Sequence, residues 1–154
     1  MSLVALFLFV VWIQTNDSLA TPIKAEGCAT TLCCENCDSL RVTSIVDGDT
    51  FNSTSGKVRL FGIDTPEKGE PCFFEAKNRL TKLAGSRIRV EDGPREQDRY
   101  GRLLFYIYTE QGESIDEIMV TEGLAHAWTI DGQHANILKA AEADAQNSST
   151  GCLW

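Results

Sequence analysis

Lys57 to Gly85, KVRLFGIDTPEKGEPCFFEAKNRLTKLAG, holds the change of period on which the fold turns. Lys57 to Ile63 reads as a strand, and Thr65-Pro66 stops it, because proline brings no N–H to a ladder and restricts the residue before it. From Pro71 the spacing becomes helical. Phe73, Ala76, Leu80, Leu83 and Ala84 share one face, Pro71 stands at the start and Gly85 just past the end.

Upstream, Leu40 to Val46 alternates apolar and polar, Asp47-Gly48-Asp49 is a turn signal, and Thr50-Phe51 leads to a second turn at Ser53 to Gly56. Three strands in meander order therefore precede the helix. Downstream, Arg87-Ile-Arg-Val-Glu91 alternates strictly and Arg102 to Tyr108 is a continuous apolar and aromatic run, which brings the strands to five. Ser114-Ile-Asp-Glu117 has the pattern of a capping box, opening a short helix that Gly123 ends. A third helix spans roughly Gln133 to Ala145, with Ile137, Leu138, Ala141 and Ala145 on one side. A mainly β chain of five short strands, with a helix after the third, fits a small closed barrel of the oligonucleotide-binding type with three helices packed around it. An open α+β sandwich is the alternative, and element order alone does not separate the two.

At 154 residues the chain is sized for one domain. Leu3 to Ile13 is an apolar run too short to span a bilayer as a helix, and Ser18-Leu-Ala20 offers small residues for cleavage. We therefore expect a signal peptide over 1–20, a Cys-rich leader over 21–39 and a folded domain over 40–154. Export without stable membrane insertion follows from that reading. Nothing before Leu3 is basic except the amino terminus, which departs from the usual signal layout.

All six cysteines follow that segment, and an even number in an exported chain favours disulfides. Cys28, Cys33, Cys34 and Cys37 crowd together, while Cys72 and Cys152 stand apart, so parity suggests a long bridge Cys72–Cys152 and a local knot. Such a bridge could contribute on the order of 4 kcal/mol. Zinc is the rival for the cluster, since Cys34-x-x-Cys37 is a ligand spacing, but no second CxxC or paired His follows.

The formal charge is −8, unpromising for a polyanionic partner until its distribution is considered. Residues 57–102 carry eleven of the fourteen Lys and Arg against eight acids, whereas 103–154 carry eight acids and only Lys139. A local basic face on an acidic body suffices for salt-sensitive backbone contact with nucleic acid.

Within that region three motifs bear chemistry: Ile45-Val-Asp-Gly-Asp-Thr50, Arg59-Leu-Phe-Gly-Ile-Asp-Thr-Pro-Glu67 and Asp98-Arg-Tyr-Gly-Arg102. They supply metal-grade carboxylates, a candidate base and two guanidiniums. Water attack on a phosphodiester requires these functions: a cation to offset charge, a carboxylate to activate water, and fixed donors for the transition-state oxygens. Each motif has a plainer reading beside this one. DGD is a common turn, Glu67 can be an acid placed for the helix dipole, and a strand Arg is commonly a solvated outer residue. Strict alternation would also put Arg59 and Asp64 on opposite faces, so a site using both needs a bend, best placed at Gly62.

The order of the motifs, with the helix between the second and third, resembles the micrococcal, staphylococcal-type nuclease family, the thermonucleases, from about Leu40 to Trp154. That resemblance implies a five-stranded oligonucleotide-binding barrel and an exported, calcium-dependent nuclease that cuts DNA and RNA to leave 3′-phosphates. It assigns Asp49, Asp64 and the carbonyl of Thr65 to one Ca²⁺, with Mg²⁺ or Mn²⁺ less suited, and leaves Asp47 beside the site. Glu67 becomes the general base, Arg59 and Arg102 the grip on the scissile phosphate, and Arg99 and Tyr100 contacts to a neighbouring phosphate and sugar. The chain departs from the family beyond Trp128. The stacking tyrosines expected there are not evident, Thr129-Ile-Asp-Gly132 occupies the region, and Trp128 is left as a stacking face or a core residue.

His126 and His134 stand in no metal-ligand spacing with each other and read as packing or surface residues. Two further functions compete with a monomeric nuclease. One is a non-catalytic nucleic-acid-binding barrel, which usually goes with broken acid or arginine positions; the other is an extracellular structural or metal-storing protein organised by the cysteine cluster.

Overall fold

In the computed structural model, which describes residues 27–154, the elements run β1 Asp38–Ile45, β2 Thr50–Ser53, β3 Gly56–Leu60, β4 Ile63–Asp64, α1 Phe73–Ala84, β5 Arg87–Gln97, β6 Leu103–Tyr108, α2 Ile115–Thr121, β7 His126–Ala127 and α3 Ala135–Asn147. The segment read as an export signal lies outside the described residues. Strands β1, β2, β3, β6 and β5 close into a barrel in that order, so the barrel is correct and the open sandwich is not. Its neighbours are antiparallel except β3 and β6, which run parallel with Val58 opposite Leu103, Arg59 opposite Leu104 and Leu60 opposite Phe105. Two-residue strands β4 and β7 pair outside the barrel, Asp64 opposite His126.

The core follows from alternation. Phe51, Val58, Leu60, Ile88 and Ile107 are fully buried and pack in one cluster with Ala76 and Leu80 of α1 and Ile115 and Met119 of α2. Each large apolar side chain so removed from water contributes roughly 1.5–3 kcal/mol.

Three expectations need correction. The strand expected over Lys57 to Ile63 is broken: β3 ends at Leu60, the chain bends through Phe61-Gly62 and resumes as β4. The fully buried carboxylate of Asp116, in the first turn of α2, holds that bend by accepting the N–H groups of Gly62 (3.0 Å) and Ile107 (2.9 Å). A Cβ at position 62 would lie 2.6 Å from Leu138 Cδ1 and 2.8 Å from Asp116 Oδ1, so only glycine fits. Helix α1 starts at Phe73 with Cys72 as its N-cap at φ 69°, leaving Pro71 outside it, and α3 sits two residues later than expected.

The capping box is only half formed. Ser114 Oγ accepts the N–H of Glu117 (3.1 Å), but the Glu117 carboxylate accepts the leader N–H groups of Thr31 (2.8 Å) and Leu32 (2.7 Å). Ser114 N–H donates instead to Thr30 Oγ1 (3.0 Å). The leader is thus docked on the start of α2, and Cys34 N–H adds a bond to Gly112 O (2.9 Å). Its cysteines pair as Cys28–Cys33 and Cys34–Cys37, and Cys72–Cys152 ties the start of α1 to the chain end, with Cα separations of 6.3, 5.6 and 5.7 Å. None of the six is left for zinc. Hydrogen bonds to a charged group contribute about 1.5–3 kcal/mol each. In Glu117→Ala, amide exchange at Thr31 and Leu32 is therefore expected to accelerate strongly while Ile88 and Ile107 keep their protection. Equal loss throughout the barrel would instead make the leader part of one cooperative unit.

Among the described residues no helix is long and apolar enough to cross a membrane.

Candidate active site

The bend at Phe61-Gly62 folds the chain back over Arg59. Arg59 Nη1 donates to the carbonyls of Leu60 (2.6 Å) and Ile63 (2.7 Å), and Nη2 donates to Asp64 Oδ1 (2.6 Å) and lies 3.5 Å from Asp49 Oδ2. Asp49, buried at the mouth of β2, accepts the Thr50 hydroxyl (2.9 Å) through Oδ1 and the Thr65 N–H and hydroxyl (both 3.0 Å) through Oδ2. Asp49, Arg59, Asp64 and Thr65 thus form one cluster, with the Asp64 side chain the most open to solvent.

Arg102, immediately before β6, reaches the same place, because the parallel β3–β6 pairing brings the start of β6 beside the strand of Arg59. Asp98 orients it: Oδ2 accepts Arg102 Nε (2.6 Å) and Oδ1 accepts its backbone N–H (3.0 Å). Burial pulls the Asp98 carboxyl up, but the bonds from the Arg102 side chain and from the N–H groups of Arg102 and Tyr100 outweigh it and hold Asp98 below the usual range. Arg59 and Arg102 line one open slot of about 420 Å³ whose apolar wall is Phe61, Leu104 and Trp128. The Arg59 guanidinium carbon lies 6.0 Å from the Trp128 ring centre.

Glu67 is exposed in the turn before α1, where its N–H donates to Glu70 Oε2 (2.7 Å). The described residues bring it near the acids rather than into contact with either arginine. Partial burial, then the charges of Asp47, Asp49, Asp64 and Glu70, raise its carboxyl above the ordinary value. Asp47 is raised as well, by burial and by Asp49, and its Oδ1 accepts the Asp49 N–H (3.1 Å). These five carboxylates present hard oxygens of the kind that suit a small divalent cation. No three side chains among the described His, Cys, Asp and Glu converge as a ready ligand cluster. Asp49 and Asp64 would need a backbone carbonyl, such as that of Thr65, and water to complete a shell, and on donor chemistry the set fits.

Arg99 and Tyr100 form the slot's rim. Arg99 Nη2 donates to the Tyr100 hydroxyl (2.6 Å), and Tyr100 is 69% exposed. Of the histidines, His134 lies away from the site, its Nε2 3.0 Å from Glu91 Oε2 and its ring packed on Tyr106, whereas His126 stands opposite Asp64 in the β4–β7 pair, with its Nδ1 2.9 Å from Glu142 Oε1 and its ring edge-on against Trp154. Sequence reasoning missed the holding roles of Asp98 and Asp116. Asp98 stands four residues before Arg102, a spacing that could have revealed it; Asp116 gave no signal beyond an acid in a first helical turn.

The sequence profile of the family described as staphylococcal nuclease homologue matches residues 57–154. The chain is 35% identical over 126 residues to a micrococcal nuclease of Shigella flexneri, covering 73% of this chain and 71% of that one. It is 30% identical over 130 residues to a thermonuclease of Staphylococcus intermedius, 76% of each chain. An uncharacterized endonuclease of Haemophilus influenzae is 33% identical over 127 residues, 79% of this chain and 69% of that one.

Proposed function

Since the chain belongs to the staphylococcal nuclease family and is a nuclease, we propose that it is exported, depends on calcium and hydrolyses DNA and RNA with low sequence specificity, leaving 3′-phosphates. The observation that carries this reading is the meeting of Arg59 of β3 and Arg102, just before β6, on one slot, with Asp49 and Asp64 against Arg59. Guanidiniums stay charged and present planar forks, so the pair binds the non-bridging oxygens of the scissile phosphate and offsets the charge that develops there. Glu67, raised by partial burial and then by its acidic neighbours, accepts the proton of the attacking water. Arg99 and Tyr100 at the rim hold the neighbouring phosphate and sugar, and the apolar wall accepts the attached nucleoside.

Asp49, Asp64 and the Thr65 carbonyl would hold Ca²⁺, with Mg²⁺ or Mn²⁺ less suited, and the bound ion supplies positive charge to the phosphate and the water. Export is supported by the three cysteine pairs, which persist in oxidising compartments. On this reading residues 1–20 are removed, 21–39 form the disulfide-closed leader and 40–154 the nuclease domain. On this reading the chain acts as a monomer.

The test is a degradation assay on single-stranded DNA and RNA with the mature protein. Activity is expected with added calcium, loss of at least about a hundredfold on chelation, recovery on calcium readdition, and 3′-phosphate ends. Undiminished cleavage in excess chelator would reject the calcium reading, and no cleavage under any divalent ion would reject hydrolysis.

A further inference from the structure

Just beyond Trp128, one carboxylate ties the chain to two residues that line the slot. Asp131 accepts Arg95 Nε (2.7 Å, Oδ2) and Nη2 (3.2 Å, Oδ1), and the same Oδ1 accepts the Trp128 indole N–H (2.7 Å). These bonds, from Arg95 first and then Trp128, outweigh burial and hold the Asp131 carboxyl low, so it stays charged through the neutral range. Arg95 lines the slot, and its guanidinium carbon lies 5.2 Å from the centre of the Phe61 ring. Gly132, at φ 114°, lets the chain lie close here, because a Cβ there would come 2.1 Å from the Tyr106 hydroxyl and 2.7 Å from Phe61 Cε1. The slot therefore has Arg59 with Arg102 for a phosphate, an aromatic wall, and a further guanidinium, that of Arg95, with a fixed orientation.

Arginine has two hydrogen-bonding edges. Asp131 takes the Nε–Nη2 edge of Arg95, and among the described residues Nη1 has no acceptor. The Nη1–Nη2 edge is left to a ligand, and it offers two parallel donors and no acceptor. An unpaired base matches it only where two acceptors adjoin: guanine through O6 and N7, or cytosine through O2 and N3. Adenine, thymine and uracil set a donor beside each of the acceptors they could offer at those edges.

We propose that Arg95 reads the base of the nucleotide in the slot, favouring guanine and cytosine over adenine and uracil or thymine, and that Asp131 is the positioning residue that presents it. The proposal rests on the nuclease reading for the seat of the phosphate. It adds a bias at one nucleotide to cleavage that otherwise tolerates sequence.

Two measurements test it. Binding of the four ribonucleoside 5′-monophosphates by calorimetry needs no turnover: guanosine and cytidine monophosphates are expected to bind about tenfold more tightly than the other two. Arg95→Lys keeps the charge but loses the fork and should abolish that difference. Asp131→Asn should weaken it, and Asp131→Glu should restore part of it. In cleavage of single-stranded oligonucleotides, Arg95→Lys should raise KM more at sites with guanine or cytosine than at the others, with melting curves as the control for folding. Equal affinity for the four nucleotides in the wild type, or a bias that survives Arg95→Lys, overturns the proposal. Cleavage without base bias would leave the nuclease reading standing and this one rejected. A binding bias that vanishes in Arg95→Lys, in a protein that cuts nothing, would do the reverse. Should Asp131→Asn fail to fold, the Arg95→Lys comparison decides alone.

Discussion

Glu67→Gln is expected to fold like the wild type and to lower kcat by about a hundredfold to ten-thousandfold, the range for loss of a positioned general base. Folding should be insensitive because the carboxylate is exposed and its local bond to Glu70 is made by the backbone N–H, which the amide variant keeps. The chemistry should be sensitive because Gln keeps the shape and the capacity to hold a water but cannot take its proton. Arg102→Lys is the companion. Asp98 fixes the Arg102 Nε and backbone N–H, Nη1 lies 3.5 Å from Thr50 Oγ1, and Nη2 is left to the slot; a lysine ammonium offers a point charge in place of that oriented fork. A fall in kcat of about a hundredfold with a smaller change in KM is expected, the behaviour of a donor used chiefly in the transition state. Steady-state kinetics on a single-stranded substrate, with melting curves as control, check both. Near-wild-type turnover in the two variants would remove Glu67 and Arg102 from the mechanism. Arg59 is a less clean probe, since it also ties down the carbonyls of Leu60 and Ile63.

Asp116→Ala should be the most damaging change to the fold outside the apolar core. It leaves the buried N–H groups of Gly62 and Ile107 without acceptors, each costing about 1–3 kcal/mol, and empties space beside them. The bend at Phe61-Gly62 then loses its anchor, so Arg59 and Asp64 lose their common orientation and activity should fall with stability. Asp116→Asn keeps one acceptor and is expected to lie between.

The native carboxyl also has a pH signature. Burial pushes it up from 3.8 to about 7, against the pull of the Ile107 and Gly62 N–H groups and of Arg59. Its folded value lies above its unfolded value, so the native state retains the proton longer. The contribution of Asp116 to stability is therefore complete below about pH 4 and is lost as pH rises toward about 7. Glu91 and Asp98, both held low, slope the opposite way at more acidic pH. The difference in urea midpoint between wild type and Asp116→Asn isolates the contribution: it should shrink as pH rises through that window, and a difference constant with pH would refute the assignment.

The barrel was legible because its strands and helices have periods long enough to read, and the conflict between alternation and a shared site for Arg59 and Asp64 located the bend at Gly62. What bends it was not legible, since the acid responsible lies 54 residues away and looks like an ordinary first-turn carboxylate. Glu117 was read as a capping residue because the local pattern is sufficient for that, while its actual partners, Thr31 and Leu32, belong to a leader without period. Strands of two residues such as β4 and β7 carry no periodicity at all. Of the proposed site, the motifs pointed to the cluster of Asp49, Arg59, Asp64 and Thr65 and to Arg102. The tie between Arg95 and Asp131 spans 36 residues and obeys no local rule.

The parallel seam between β3 and β6 has a kinetic corollary. Its two strands are separated in the chain by a helix and the long β5, so this pairing has a large loop-closure cost and should be among the late events of refolding. Until it forms, the two guanidiniums lie on unconnected parts of the chain, and a collapsed intermediate with most of its strands in place would be catalytically silent. Regain of cleavage after dilution from denaturant should therefore lag behind the recovery of most secondary structure and report the moment at which the cylinder shuts.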